Sequence, residues 1–408
     1  MTKPSLLAAA ALVLLPAAVL PDTAWAADGP GSAAHGSAAS EPAPGPDAPA
    51  LRAALAARPG EPVAGALGRV AEDGRTWRGS TGDLVTGRPV SPDAAFRIGS
   101  ISKTFTAVVL LQLAAEHRID LDGTVQHYLP GAIPDSFRPI TIRQLLDHTS
   151  GLPTGTACDP SATPDQQIAG RFGYQSFDEI IQQTLRPTDC AWPGPVFAPG
   201  TAQQYNSFGY RVAGAVIEHV TGHSYRQEVT ARILAPLGLR HTLVPSGDPE
   251  LPPPHLPGYW TNGAGRPVDV SEAGGNPDSM VSTTGDLDRF LRALLGGELL
   301  PPAGMADLLA LPRDPAGRLV PSVDPTACPF GPDKGLACYS EGLMRVPLRD
   351  GTVLWGKTGH DLGYASGMFA TLDLRESAEY AVAETATEPG LAGPAERLGV
   401  TAFGPFAP

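Results

Sequence analysis

The segment Phe96–Phe105 reads FRIGSISKTF and opens a long apolar helical pattern. From Ser100 to His117 the pattern is apolar on nearly every face, as in the run TAVVLLQLAA. Such a helix is expected to lie buried in the centre of a domain. At positions i and i+3 of a helix, Ser100 and Lys103 lie on one face, so an amine can sit beside the hydroxyl.

Strand patterns lie on both sides of this helix. Pro62–Val70 and Arg75–Gly82 are predicted to form a hairpin with its turn at 72–74 (Glu-Asp-Gly). Four later strands are predicted at Leu343–Val346, Thr352–Trp355, Ser366–Leu372 and Tyr380–Ala386. Between them, helix patterns occur at Ile142–Leu146, Phe177–Leu185, Gly209–Val220, Tyr225–Leu234 and Asp286–Leu295, and a short one precedes the first strand at Leu51–Ala57.

Strands at both ends around a helical middle predict an α+β fold. In this fold one antiparallel sheet is built from both chain ends and flanked by helices, and a mainly helical lobe, about 118–274, is inserted between them.

Length and composition limit the class of protein. The 408 residues are 42% hydrophobic and 17% charged, so the chain can bury a sizeable core. The net charge is -13 and only four lysines occur, which argues against a basic surface for nucleic acid or anionic lipid. We therefore expect a small-molecule or peptide substrate and no nucleic-acid partner. Two of the four lysines are Lys103 and Lys357, the first residue of a Lys-Thr-Gly sequence.

The N-terminal segment has the features of a secretory signal peptide. Lys3 precedes an apolar run, Leu6–Leu20, and the small-x-small sequence Ala-Trp-Ala ends at Ala26. A membrane anchor is the weaker interpretation because the run is short and contains Pro16. The predicted organisation is a signal peptide at 1–26, a disordered linker at 27–50 rich in Pro, Gly, Ala and Ser, and one folded domain at 51–408. We expect a secreted monomer without a transmembrane anchor in the mature chain.

Four cysteines are present, and in an exported protein they are expected to form disulfides. Three pairings are possible, and the sequential one, Cys158 with Cys190 and Cys328 with Cys338, gives two local loops and is preferred. The sequence contains no C-x-x-C and no H-E-x-x-H, so neither a metal nor another cofactor is expected.

The segment around Ser100 closely resembles the nucleophile segment of the serine beta-lactamase-like family. That family includes class C beta-lactamases and secreted D-alanyl-D-alanine carboxypeptidases. The resemblance continues at Leu121-Asp122, 140–153 (ITIRQLLDHTSGLP), Pro199-Gly200-Thr201, Ser282-Thr283 and 356–359 (GKTG). It implies the beta-lactamase/transpeptidase-like fold, with Ser100 as the acyl-accepting nucleophile and Lys103 as its base or proton relay.

The resemblance also implies how a substrate is held. The backbone N–H groups of Ser100 and His360 would form the oxyanion hole. Lys357, Thr358 and Gly359 would lie on a strand bordering the cleft, where Lys357 and the Thr358 hydroxyl would bind a substrate carboxylate. Arg345 is a candidate second carboxylate ligand, and a solvated strand charge is the alternative reading of this residue.

One motif departs from the family pattern. Where Tyr-x-Asn is expected, the sequence has Tyr205-Asn206-Ser207. Tyr205 can still protonate the leaving group, but Ser207 has a single O–H donor in place of an amide. We therefore expect weaker substrate positioning at Ser207, or a substrate whose backbone is held differently. His148 is interpreted as structural, because it lies in a turn of this family.

The resulting hypothesis is a secreted serine hydrolase that is acylated at Ser100, of the D-alanyl-D-alanine carboxypeptidase type. A beta-lactamase or an esterase of the same fold is the alternative within the enzymes. A catalytically weak penicillin-binding sensor is the alternative from another class, and Ser207 favours it. An α/β-hydrolase is excluded because no G-x-S-x-G occurs.

Overall fold

A six-stranded antiparallel sheet in the order β2-β1-β10-β9-β8-β7 joins the two ends of the chain in the computed structural model. The structure describes residues 45–154, 162–185, 194–248, 251–324, 328–385 and 393–407. The strands are β1 Val63–Glu72, β2 Arg75–Ser80, β3 Phe96–Arg97, β4 Tyr259–Thr261, β5 Pro267–Asp269, β6 Val281–Ser282, β7 Met344–Pro347, β8 Val353–Asp361, β9 Tyr364–Thr371 and β10 Glu376–Glu384. The predicted sheet built from both chain ends is confirmed.

Helices cover both faces of the sheet and fill the middle of the chain. They are α1 Ala48–Leu55, α2 Ser102–Ala115, α3 Val125–Tyr128, α4 Ile142–Leu146, α5 Pro164–Gly170, α6 Phe177–Thr184, α7 Ser207–Thr221, α8 Tyr225–Val229, α9 Ala235–Leu237, α10 Thr284–Leu295, α11 Pro302–Leu309 and α12 Gly393–Phe403. A π-helical turn, Thr230–Leu234, joins α8 to α9. The predicted helical middle is therefore present, and it also contains the small hairpin of β4 and β5.

Period-two alternation assigns the two faces of the sheet to different layers. On β1, Ala66 packs with α1 and α12, whereas Leu67 packs in the larger core that contains α2. On β10, Val382 likewise packs with α1 and α12, and Ala381 packs in the larger core. The helix α2 is buried along nearly its whole length, from Ser102 to Leu111, as its all-round apolar pattern predicts.

The hairpin turn is confirmed at Asp73 and Gly74. Their φ angles are 46° and 80°, so both lie in the left-handed region that a two-residue type I′ turn requires. Gly supplies this conformation without steric cost, and Asp tolerates it. The turn sets the register in which Glu72 faces Arg75.

Several boundaries differ from the sequence prediction. β8 continues to Asp361, six residues beyond Trp355, where the predicted strand ended. Gly356 and Gly359 interrupt the apolar alternation there, so the sequence pattern does not indicate that the strand continues. Ser100 lies in a 3₁₀ turn, Gly99–Ile101, instead of beginning the α-helix itself. α1 begins at Ala48, because the Asp47 side chain accepts the N–H of Ala50 and caps the helix.

The predicted disulfide between Cys328 and Cys338 is confirmed, with a Cα–Cα distance of 5.7 Å. Cys158 and Cys190 lie outside the described residues, as do the predicted signal peptide and most of the predicted linker. Among the described helices, none combines the length and apolar character needed to cross a membrane.

Candidate active site

The turn that carries Ser100 lies directly against β8. Gly99 has a φ of 48°, and a β-carbon at this position would overlap the backbone of His360. A β-carbon on Gly359 would likewise overlap the carbonyl of Ile98. Glycine at both positions therefore permits a backbone approach that other residues would prevent. β7 pairs with β8 only as far as Gly356. The residues of β8 after Gly356 therefore do not pair with β7, and they contact the turn that carries Ser100 instead.

Ser100 and Lys103 form the predicted pair. Lys103 Nζ lies 3.0 Å from Ser100 Oγ, and the Lys103 side chain is only 4% exposed. Burial lowers the pKa of Lys103 to about 8; Asp278 and Asp361 oppose this effect and Arg211 reinforces it. A lysine with this pKa is neutral often enough near neutral pH to accept the serine proton.

Tyr205 lies between the two lysines, just before α7. Its ring centroid is 5.5 Å from Lys103 Nζ and 4.8 Å from Lys357 Nζ. Both distances are within the range of cation–π attraction. Tyr205 Oη is buried and has no hydrogen-bond partner within the described ranges. An unpartnered phenol in a buried site is available to a substrate group.

Three tyrosines surround His148 and form with it an aromatic cluster, which we define as His148, Tyr205, Tyr210 and Tyr339. The ring of His148 lies 4.6 Å from that of Tyr205, 5.2 Å from Tyr210 and 5.2 Å from Tyr339. Tyr210 also faces Lys103 at 5.8 Å, and Tyr339 faces Lys357 at 5.7 Å. The cluster therefore lines the side of the site that holds both ammonium groups.

Lys357 is 2% exposed and points into this cluster. Its Nζ donates to the carbonyl of Thr358 at 2.9 Å. Burial lowers the pKa of Lys357, nearby Lys103 adds to the effect, and Tyr205 opposes it. Thr358 directs its hydroxyl toward Met344 Sδ at 4.0 Å. The structure thus brings Lys357 to Tyr205, in addition to placing it on the strand that borders Ser100.

His360 contributes its backbone to the site, because its side chain is engaged elsewhere. The imidazole Nε2 lies 3.3 Å from a carboxylate oxygen of Glu384. The main chain of His360 packs against Gly99, one residue before the nucleophile. This placement fits the expected pairing of the Ser100 and His360 N–H groups around an oxyanion.

Ser207 and Arg345 are less directly placed for binding. Ser207 is the first residue of α7, and the neighbouring Asn206 caps that helix by accepting the N–H of Gly209 at 2.9 Å. The Asn206 amide also donates to the carbonyls of Leu152 and Pro153 at 2.7 and 3.2 Å, so it cannot replace the amide missing at 207. Arg345 lies on β7 and pairs with Asp333 at 3.2 Å. A substrate carboxylate would have to compete with this partner.

Two residues of the site were missed in the sequence analysis. Tyr210 is three residues after the end of the motif that contains Tyr205, and its four-residue spacing from Asn206, the residue that caps α7, places it on the same side of the helix. Tyr339 follows Cys338 directly, so the disulfide holds the backbone next to it. Neither residue belongs to a motif. The only sequence signal was that each is an aromatic residue close to a predicted site or disulfide residue.

The family model described as Beta-lactamase matches residues 19–398. The chain belongs to this family. Esterase EstB of Burkholderia gladioli is similar to this chain, with 32% identity over 330 residues, 72% of this chain and 80% of the esterase. The match confirms the family expected from the motifs around Ser100 and Lys357.

Solved structures of this fold include two amide hydrolases. A D-stereospecific amidohydrolase from Streptomyces sp. superposes with a TM-score of 0.73 and 31% identity, covering 88% of this chain and 99% of that one. The D-amino acid amidase from Ochrobactrum anthropi SV3, complexed with L-phenylalanine, gives a TM-score of 0.69 and 25% identity over 86% and 97% of the two chains. The expected fold is confirmed, and the family is one of serine hydrolases.

Proposed function

We propose that the protein is an exported serine hydrolase that cleaves amide, peptide or ester bonds of small substrates derived from D-amino acids. D-alanyl-D-alanine peptides belong to this class, so the carboxypeptidase activity expected from the sequence is included. The observation that carries the proposal is the 3.0 Å contact between Lys103 Nζ and Ser100 Oγ, beside the unpartnered phenol of Tyr205.

The reaction begins with attack on the scissile carbonyl. Neutral Lys103 accepts the proton of Ser100 Oγ as the oxygen bonds to the carbonyl carbon. The N–H groups of Ser100 and His360 stabilise the negative oxygen, a contribution typically worth about 2.7 to 4 kcal/mol for each donor. Tyr205 Oη donates a proton to the leaving nitrogen or oxygen as its bond to carbon breaks. Lys103 passes the proton it took from Ser100 to the Tyr205 phenolate, which restores both groups. Water then attacks the acyl carbon and gives a proton to neutral Lys103, and the serine oxygen takes that proton as its bond to carbon breaks.

Several features support a D-amino-acid-derived substrate. The similarity to the D-stereospecific amidohydrolase extends over 99% of that chain, which supports a related substrate class. Lys357, Thr358 and Arg345 are the proposed ligands of a substrate carboxylate, as in a C-terminal D-alanine. Arg345 would bind the carboxylate in exchange for Asp333.

A stereochemical substrate panel tests this proposal. Purified protein is assayed with matched D- and L-phenylalanine amides, a D-alanyl-D-alanine peptide, a chromogenic cephalosporin and p-nitrophenyl acetate. We expect at least about a tenfold preference in kcat/KM for D over L, equal to about 1.4 kcal/mol. Equal rates on both enantiomers would refute the substrate class. Ser100→Ala is the control and must lose activity on every substrate.

An esterase is the second candidate, and Ser207 is the observation that favours it. Esters have better leaving groups than amides, so they depend less on the positioning that an amide at 207 would supply. The similarity to esterase EstB agrees with this alternative. Ser207→Asn distinguishes the two, because in an esterase it should raise amide hydrolysis without raising ester hydrolysis. If the variant changes neither activity, position 207 does not control substrate choice.

Other activities give distinct results in the same panel. Rapid turnover of the cephalosporin would identify a beta-lactamase. A stable acyl-serine without turnover of any substrate would identify a penicillin-binding sensor.

Export is proposed from the N-terminal segment and agrees with the Cys328–Cys338 disulfide. Expression in a secreting host, followed by N-terminal sequencing of protein from the medium, tests it. The expected mature chain starts at Ala27, and retention of the full chain in the cytoplasm would refute export.

A further inference from the structure

We propose that His148 is a positioning residue that holds Tyr205 in place through hydrogen bonds to the backbone N–H groups of the residues before and after it. This inference rests on the proposed function, in which Tyr205 protonates the leaving group. It assigns to His148 a role in the reaction that goes beyond support of its own turn.

His148 contacts the backbone on both sides of Tyr205. The carbonyl of His148 accepts the N–H of Gln204 at 3.0 Å. Its ring Nδ1 accepts the N–H of Asn206 at 3.1 Å. The residue before Tyr205 and the residue after it are therefore both bonded to one amino acid. The imidazole also packs against the Tyr205 ring at 4.6 Å, so the tyrosine is restrained in both backbone and side chain.

His148 is itself held rigidly. It is 2% exposed, and its φ of 62° lies in the left-handed region. The neighbouring Asp147 carbonyl accepts Nε2 of Gln203 at 2.8 Å, and the N–H of Thr149 bonds to the carbonyl of Gln144 at 3.0 Å. A conformation that a non-glycine residue rarely adopts persists only where its surroundings fix it. A rigid support is what a positioning residue requires.

The hydrogen bond from Asn206 requires the neutral imidazole, because a protonated Nδ1 cannot accept. The surroundings favour this state. Burial lowers the pKa of His148 well below its usual value, and the charges of Lys357 and Lys103 lower it further. Tyr205, Tyr210 and Tyr339 supply the remaining ring contacts, and the adjacent Asp147 carboxyl accepts from Thr149. The tautomer that fits carries its proton on Nε2.

If His148 acts through Tyr205, its replacement should slow a reaction most when the leaving group has to be protonated. An amide nitrogen must be protonated to leave, whereas p-nitrophenolate leaves without a proton. Loss of the His148 contact should therefore slow amide hydrolysis much more than hydrolysis of a p-nitrophenyl ester. A general loss of folded protein would lower both rates by the same factor.

Three variants test this selectivity on a D-amino acid amide and the p-nitrophenyl ester of the same acid. His148→Leu fills space without an acceptor, and His148→Asn keeps an acceptor oxygen near the position of Nδ1. Tyr205→Phe is the reference for lost proton donation. For His148→Leu we expect kcat on the amide to fall by about 30- to 100-fold and kcat on the ester by less than about fivefold. His148→Asn should recover amide activity to within about fivefold of the wild type.

A double-variant cycle provides the mechanistic readout. If His148 acts through Tyr205, His148→Leu combined with Tyr205→Phe should be no slower on the amide than Tyr205→Phe alone. Equal losses on amide and ester, or additive losses in the cycle, would overturn the inference. An inactive wild type without an acyl-enzyme would instead refute the proposed function.

A measurement on the wild type decides the case if His148→Leu does not fold. Histidine is labelled with ¹⁵N, and the His148 ring is assigned by its loss in His148→Asn. The inference requires an unprotonated Nδ1 and a protonated Nε2 at neutral pH. Protonation of Nδ1 under these conditions would refute it.

Discussion

The backbone of Gly99 lies so close to β8 that a β-carbon on Gly99 would be 2.6 Å from the carbonyl carbon and 2.8 Å from the nitrogen of His360. The nucleophile follows Gly99 directly in the sequence. The proposed oxyanion donors, the N–H groups of Ser100 and His360, are thus fixed relative to each other by backbone packing. Errors in such positions are costly, because a displacement of about 1 Å can lower a rate about 100-fold.

Gly99→Ala should disrupt this contact. The methyl group would overlap the main chain of His360, and the φ of 48° is unfavourable for alanine. We expect kcat to fall by about 100-fold or more and the free energy of unfolding to fall by about 2 to 4 kcal/mol. Denaturant unfolding and steady-state kinetics measure both. Gly285→Ala is the matched control, since a β-carbon at this position in α10 would meet Thr283 Oγ1 at 3.9 Å, an ordinary contact distance. A Gly99→Ala protein as active as Gly285→Ala would contradict the account.

The pH dependence of acylation should report the deprotonation of Lys103. Because burial lowers the pKa of Lys103 to about 8, kcat/KM should rise about tenfold per pH unit below pH 8 and level off above it. The same shift predicts how this group affects stability. The unfolded lysine binds a proton more tightly than the folded one, so its contribution to stability increases with pH between about 8 and 10.5. A flat rate profile from about pH 6 to 9 would mean that another group is the base.

Replacement of Lys357 and of Arg345 should have different kinetic effects. Lys357 is buried beside Tyr205, so Lys357→Met should lower kcat by about 100-fold for substrates with or without a carboxylate, and for carboxylate substrates it should raise KM as well. Arg345 lies outside the aromatic cluster, so Arg345→Met should raise KM only for carboxylate substrates, by about tenfold. Paired assays on a D-alanyl-D-alanine peptide and its C-terminal amide separate these effects. If Arg345→Met leaves both KM values unchanged, Arg345 only pairs with Asp333.

Removal of the Cys328–Cys338 disulfide should weaken the fold next to the site. The bridge closes a loop with a sequence separation of 10, and loop entropy predicts a loss of about 3 kcal/mol when both cysteines become alanine. Since Tyr339 follows Cys338, kcat should fall as well, though by less than about tenfold. Urea unfolding of the double alanine variant gives the first value. A change below about 1 kcal/mol would show that the loop is held by other contacts.

Local patterns in the sequence predicted much of this molecule. Ser100 and Lys103 are three residues apart, so any helical turn brings them together, including the 3₁₀ turn that is present. The hairpin at Asp73-Gly74 and the capped helix α4 are also determined by neighbouring residues. The antiparallel sheet followed from strand patterns at both ends of the chain.

Contacts between distant segments could not be predicted in this way. His148 and Asn206 are 58 residues apart, and their hydrogen bond depends on the packing of α7 against the turn that follows α4. The placement of Lys357 beside Tyr205 depends in the same way on β8 meeting that region. The extension of β8 was missed because Gly356 and Gly359 carry no strand pattern. Gly359 makes room for the carbonyl of Ile98, and Gly356 makes room for Phe369 on the neighbouring strand.

The acylation of Ser100 is the central claim, and intact mass spectrometry tests it most directly. The purified protein is incubated with a labelled penicillin and, separately, with an activated D-amino acid ester, and its mass is followed over time. We predict a single adduct, located at Ser100 by peptide mapping and absent in Ser100→Ala. No adduct together with no ester hydrolysis, or an adduct that persists in Ser100→Ala, would contradict the account.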